Sequence, residues 1–188
     1  ERARETDKKM QNWLDFSTGI IKKDKRKRKD IALRTYFNNL ESTWHSIFKA
    51  RGIAFSMDKV QELKMRIYEI DLDSIFYNLF SNSIEAFLRM KEDRERKIDV
   101  ACYESDTNII CEYRDSGPGL STDIVNPDDI FQAFYTTKRS KVTGEEVGTG
   151  LGMWILKLIA EDNDAKVKLL TPDVGFGIQL IFPQKYNK

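Results

Sequence analysis

Four short stretches of this sequence carry residue types suited to nucleotides and metal ions. Asn78 and Asn82, in Asn78-Leu-Phe-Ser-Asn82, stand four residues apart and so share one face of a helix. Two carboxamide oxygens on one face suit a hard cation. Mg²⁺ fits this, because it takes few protein ligands and keeps water and phosphate oxygens. Asp115-Ser-Gly117-Pro-Gly119-Leu120 directly follows a strand-like run. A carboxylate at a strand end accepts a hydrogen bond from an exocyclic amine such as that of adenine. The glycines let the backbone turn sharply and approach a flat ring. Gly148-Thr149-Gly150-Leu151-Gly152 runs into an apolar helical segment. A glycine-rich loop that opens a helix exposes backbone N–H groups at the positive end of the helix dipole, where phosphate binds. Ile130 to Lys138 places Phe131 and Phe134 three residues apart, as anchors for a loop, and brings Lys138 and Arg139 near the glycines as cations of a lid. Taken singly, each stretch also reads as ordinary structure: a solvated helix face, a turn, a glycine loop.

The elements that must position these residues follow from hydrophobic spacing. Residues 1–21 have amphipathic helical spacing, and Lys22 to Asp30 carries seven basic residues in nine, read as a solvated linker. Leu33, Phe37, Leu40, Trp44, Ile47 and Phe48 predict a helix with one buried stripe over 31–51, stopped at Gly52. Short strands are predicted at 53–57 and 65–70, and a helix at 73–90 carries both asparagines. A hairpin spans 98–104 and 108–115 around Ser105-Asp106-Thr107, a turn composition. A last helix at 150–161 and strands at 166–171 and 176–182 close the chain. Strand pairs joined by tight turns imply an α+β fold: a two-layer sandwich with a mixed, mostly antiparallel sheet, preceded by a helical segment. The division is 1–29 as helix end and linker, and 30–188 as the domain.

Composition narrows the function classes. Lys and Arg total 31 against 30 Asp and Glu, so a net charge of +1 offers no global field for nucleic acid. No apolar run approaches a membrane span of about 18 residues. Cys102 and Cys111 are too few for a disulfide scaffold and read as reduced core residues of a cytoplasmic domain. With a single histidine, His45, and no paired cysteines, a zinc site is not expected. The glycine loop has neither a preceding strand nor a following Lys-Ser/Thr pair, which separates it from dinucleotide fingerprints and P-loops.

In combination and in this order, the four stretches resemble the superfamily of histidine kinases, gyrase-type topoisomerases, Hsp90-type chaperones and MutL-type repair proteins. Asn78–Glu85 looks like the N box, Asp115–Leu120 the G1 box, Ile130–Lys138 the F box and Gly148–Met153 the G2 box. The stretch Gly175–Pro183 looks like the closing strand of the kinase domain. The resemblance spans about residues 53–183 and implies a Bergerat ATP-binding fold with ATP and Mg²⁺ as cofactors. It implies that Asn82 holds Mg²⁺, with Asn78 beside the phosphates, and that Asp115 binds the adenine amine. Gly117 and Gly119 would shape the adenine pocket. Gly148, Thr149, Gly150, Leu151 and Gly152 would contact phosphates, and Phe131, Thr137 and Lys138 would belong to the lid. Many kinases place Lys where this chain has Glu85, a departure from the pattern.

One position separates branches of the superfamily. Its ATP-hydrolysing members carry Glu where this chain has Asn78, and a carboxamide cannot act as a general base at neutral pH. The resemblance therefore implies a sensor histidine kinase, whose γ-phosphoryl group must survive until a histidine arrives. The alternatives are a superfamily ATPase or a nucleotide-gated interaction module. Leu14-Asp-Phe-Ser17 looks like the end of a dimerisation helix. The acceptor histidine is then expected upstream of Glu1, in a longer protein that can carry a membrane anchor. His45 is expected to be an ordinary helix residue. The implied partners are the chain's own or a partner subunit's dimerisation domain, a response regulator and a second copy in a homodimer.

Overall fold

A computed structural model describes residues 28–90, 94–136 and 149–184. The helix read over 1–21 and most of the basic run lie outside the described residues. The run's last residues are ordered. Arg28 donates to Asn163 Oδ1 at 2.7 Å, and its guanidinium lies 5.0 Å from the ring centre of Tyr68. Lys29–Ala32 form a strand, β1, where the apolar spacing predicts linker and the start of a helix. It pairs antiparallel with β3 (Lys64–Ile67), setting Ile31 opposite Met65. The following helix α1 is therefore Leu33–Ala50, two residues shorter at its start than its stripe suggests. Pairing with β3 overrode local helical spacing here. Leu33 N–H donates to Leu63 O at 2.9 Å in place of a side-chain cap. At the other end Gly52 has φ +61°, the left-handed conformation that ends helices.

β2 (Ile53–Val60) leads through β3 into α2 (Glu69–Arg89), which starts four residues earlier than predicted. Glu69 and Asp71 in its first turn complement the helix dipole. The hairpin β4 (Arg96–Ser105) and β5 (Asn108–Asp115) turns at Asp106, whose φ is +52°. A 3₁₀ turn, Pro127–Phe131, follows, then α3 (Gly152–Asp162), β6 (Lys166–Leu170) and β7 (Phe176–Pro183). The main sheet runs β2-β4-β5-β7-β6. Only β2 with β4 is parallel, and α2 supplies the crossover that a parallel pair requires. The fold is the expected α+β arrangement with a mixed, mostly antiparallel sheet.

Alternate residues of the inner strands pack beneath the helices: Ile98, Val100 and Cys102 on β4, Ile109, Cys111 and Tyr113 on β5, Ile178, Leu180 and Phe182 on β7. Cys102 and Cys111 are directly opposite in the hairpin. They are free buried thiols whose sulfurs lie 2.8 Å apart. Burial pushes the Cys102 thiol well above its ordinary value. The centre of the core is aromatic. Phe80 has no exposed surface, and its ring centre lies 5.2 Å from Phe48, 5.3 Å from Trp44, 5.6 Å from Phe55 and 6.0 Å from Tyr113. Most of these contacts are edge-on, the favoured aromatic geometry. Because Phe80 lies between Asn78 and Asn82 in sequence, this packing sets the rotation of α2 and turns both asparagines away from the core.

Phe80→Ala should therefore destabilise the domain by about 3–5 kcal/mol, the range for a buried Phe truncation. Urea denaturation of wild type and variant measures it.

Candidate functional site

A cavity of about 440 Å³ opens between α2, the loop after β5 and the start of α3. This lies within the roughly 300–1,000 Å³ of small-molecule sites. Along α2 its wall carries Asn78, Ser81, Asn82, Glu85, Ala86 and Arg89. Asp115 comes from the end of β5 and Gly119 to Ser121 from the loop after it, while Thr149 to Leu151 precede α3 and Gly152 and Met153 open it.

Close approaches fix the two ends. A Cβ on Gly152 would lie 2.8 Å from Asn78 Oδ1, so any larger residue at the α3 N-terminus would have to displace the Asn78 side chain. Asn78 Nδ2 donates to Ser74 O at 2.8 Å, leaving its oxygen toward α3. At the other end, a Cβ on Gly117 would lie 2.9 Å from Asp115 Oδ1 and in ordinary contact, 3.5 Å, with the Ala86 Cβ. Asn78 and Ala86 are eight residues apart, which is about 12 Å along a helix rising 1.5 Å per residue. Gly150, at φ +63°, packs against the backbone of Phe134 and Tyr135, which ties the lid segment to the glycine loop.

Asp115 is 7% exposed, and its charge must be met locally. Gly117 N–H donates to Oδ1 at 2.8 Å and Phe176 N–H at 3.3 Å, while Ser83 Oγ donates to Oδ2 at 2.5 Å. Burial pushes the Asp115 carboxyl above its ordinary value, against the opposing pull of these three hydrogen bonds. Gly175 makes the arrangement possible. It has φ +87°, and a Cβ there would overlap the Asp115 carbonyl.

Of the residues singled out in the sequence, Asn78, Asn82, Asp115, Gly119, Thr149, Gly150, Leu151 and Gly152 line this one cavity. Gly117 stands behind Asp115 as a donor. Thr137, Lys138 and Gly148 lie outside the described residues. Phe131 is 6% exposed in the core, where a loop anchor belongs, with Lys157 Nζ 5.7 Å from its ring centre; as a nucleotide-binding candidate it does not line the cavity, where Ile130 does. The 3₁₀ turn, capped by Asn126, rolls that ring inward. Phe134 is half exposed at φ +63° and does not anchor the loop. Sequence reasoning missed Ser83, Tyr113, Gly175 and Phe176. Ser83 had a legible signal: it is a hydroxyl within the apolar stripe Leu79, Phe80, Ile84, Phe87, and a buried polar group demands a partner. His45 is exposed on α1. Among the described residues no cluster of His, Cys, Asp and Glu could hold a metal, and no helix is long and apolar enough to cross a membrane.

Residues 67–186 match the family described as histidine kinase-, DNA gyrase B-, and HSP90-like ATPase. The chain is 31% identical over 107 residues to the sensor histidine kinase TmoS of Ectopseudomonas mendocina, covering 56% of this chain and 10% of TmoS. It is 24% identical over 162 residues to the autoinducer 2 sensor kinase/phosphatase LuxQ of Vibrio vulnificus, covering 85% of this chain and 19% of LuxQ. The chain thus spans a fifth or less of these relatives. Among solved structures, the catalytic domain of histidine kinase ThkA superposes with a TM-score of 0.67 at 22% identity, covering 85% of this chain and 97% of that one. ThkA in complex with the response regulator protein TrrA gives 0.65 at 17% identity, covering 97% and 50%.

The raised Asp115 carboxyl has a consequence for stability. The folded state holds its proton to higher pH than the unfolded chain, so stability falls as pH rises from the ordinary aspartate value of 3.8 through the raised value. Asn at this position keeps the shape and loses the titration. The wild type should lose stability relative to Asp115→Asn as pH rises from the ordinary aspartate value of 3.8 through the raised one. Paired urea titrations without ligand measure this, and a pH-independent difference would count against it.

Proposed function

Because the chain belongs to the histidine kinase-, DNA gyrase B-, and HSP90-like ATPase family, we propose that it binds Mg-ATP and donates the γ-phosphoryl group to a histidine on a dimerisation domain. The observation that carries the reading is one cavity with an amine acceptor, Asp115, at one end of α2 and the asparagine–glycine contact of Asn78 with Gly152 at the other. An extended nucleoside triphosphate spans such a separation.

The residues divide the work. Asp115 accepts from the adenine amine. The first backbone N–H groups of α3 have no partner within the helix and face the phosphates with the positive end of the dipole. Asn82 Oδ1 holds Mg²⁺, with Asn78 beside it. Magnesium supplies charge neutralisation on the phosphates. Thr137, Lys138 and Gly148 complete the lid and loop in this reading.

The cavity favours transfer over hydrolysis. Its acidic side chains, among the described residues, are Glu85 and Asp115. In this reading Asp115 stands at the adenine end, and Glu85 lies seven residues, or about 10 Å, along α2 from Asn78. In this reading, neither acts as a base on water at the terminal phosphate. Phosphoryl transfer relies on positioning and charge neutralisation and needs no base from this domain. The acceptor histidine belongs to a dimerisation domain of the same or a partner subunit. A response regulator receives the phosphoryl group, and the whole protein is a homodimer.

Two outcomes test this. A longer chain that includes the dimerisation helices should incorporate label from γ-³²P-ATP in an acid-labile, base-stable form, while the 188-residue chain alone should not. Rapid ATP turnover by the 188-residue chain would overturn the kinase reading. Asn82→Ala should weaken Mg-ATP at least about tenfold, the loss of a contact to a charged group, with little change for ATP in excess chelator. Titration calorimetry measures both, and equal losses would reject the metal role.

A further inference from the structure

The Asp115 carboxylate is held by more than its proposed chemistry requires. Its two oxygens offer about four lone-pair directions. Oδ1 is filled by the backbone N–H groups of Gly117 and Phe176. Oδ2 accepts from Ser83 Oγ, which leaves one lone-pair direction on an oxygen of a cavity-lining residue. Ser83 has one hydroxyl proton. With that proton given to the carboxylate, Tyr113 must be the donor in the 2.7 Å contact between the two hydroxyls. The same Tyr113 proton has a second, longer acceptor in the Leu79 carbonyl at 3.3 Å, one turn before Ser83, so the shorter Ser83 contact is its main arm. Tyr113 and Ser83 are each 1% exposed, so no water competes for these contacts. With the carboxyl ionised, a directed chain of hydrogen bonds therefore runs from Tyr113 through Ser83 to Asp115 and ends at the cavity, where the remaining site accepts.

We propose that Ser83 and Tyr113 are positioning residues that aim the one free lone pair of Asp115 into the cavity, and so set its preference for a purine carrying an amine at C6 over one carrying a carbonyl. The inference rests on the adenine reading of the site. A C6 carbonyl brings one acceptor against another in a partly desolvated place. Sites built to pair with a particular polar group reject analogues that leave it unpaired. Without the Ser83 hydroxyl, Oδ2 loses the donor that fixes it, and water can enter between carboxylate and base.

The test compares ATP with inosine triphosphate, which differs by a C6 carbonyl, in titrations of the 188-residue chain. Ser83→Ala should weaken ATP about tenfold, the size expected for one hydrogen bond to a charged group, and leave the inosine nucleotide nearly unchanged. Tyr113→Phe should act in the same direction, more weakly. The double variant should be no worse than Ser83→Ala, since Tyr113 acts through Ser83. Proportional loss of both nucleotides, or an unchanged ratio in a variant with the wild-type thermal midpoint, overturns the proposal. Asp115→Asn separates the two failures. If it abolishes the preference and Ser83→Ala does not, the adenine reading stands and the positioning role is wrong. If neither changes the preference, the adenine reading itself falls.

Discussion

A carboxylate almost removed from water is the constraint on which this architecture turns. Burying Asp115 is tolerable only if its oxygens are met by donors, because an unpaired buried charge is far costlier than the hydrogen bonds that satisfy it. Those donors come from three places: Ser83 on α2, Gly117 in the turn after β5, and Phe176 at the start of β7. Meeting them at once requires that the helix rest on the sheet at one height. The turn must also fold back on its own aspartate, and β7 must begin beside the end of β5. The pairing of Asp115 with Phe176 in the sheet register delivers the last condition.

The aromatic core sets the helix. Phe80 is gripped by Trp44 and Phe48 from α1, Phe55 from β2 and Tyr113 from β5. Rings packed edge to face resist rotation more than a layer of aliphatic side chains would. That grip turns Ser83 inward to Asp115 and leaves Asn78 and Asn82 at the cavity. Tyr113 belongs to both systems, its ring in the aromatic cluster and its hydroxyl on Ser83. Core packing and site geometry are therefore not separable here.

Glycines at close approaches complete the site, each for a different reason. Gly152 admits the α3 N-terminus to Asn78, Gly150 admits the backbone of Phe134 and Tyr135, and Gly175 passes over the Asp115 carbonyl in a conformation other residues rarely adopt. Phe134 adopts a positive φ without being a glycine. Its strain lies where the lid segment meets the glycine loop, in keeping with the tendency of strained backbone to gather at functional sites.

By itself, the sequence determined most of the elements and several of the residues that line the cavity. Period-two and helical spacing located the β4–β5 hairpin, α2 and the last three elements closely, because each buries one face of a regular structure. The asparagine pair, the aspartate turn and the glycine loop were legible for the same local reason: their chemistry depends on short spacings. The tertiary structure alone decided the rest. β1 exists only through its partner β3, 32 or more residues away, so no local pattern announces it. The Tyr113–Ser83–Asp115 chain links residues 30 apart in sequence whose hydroxyls meet only when α2 lies across β5. Long-range contact of this kind is set by which surfaces pack, a quantity summed over the whole core and not written in any short stretch.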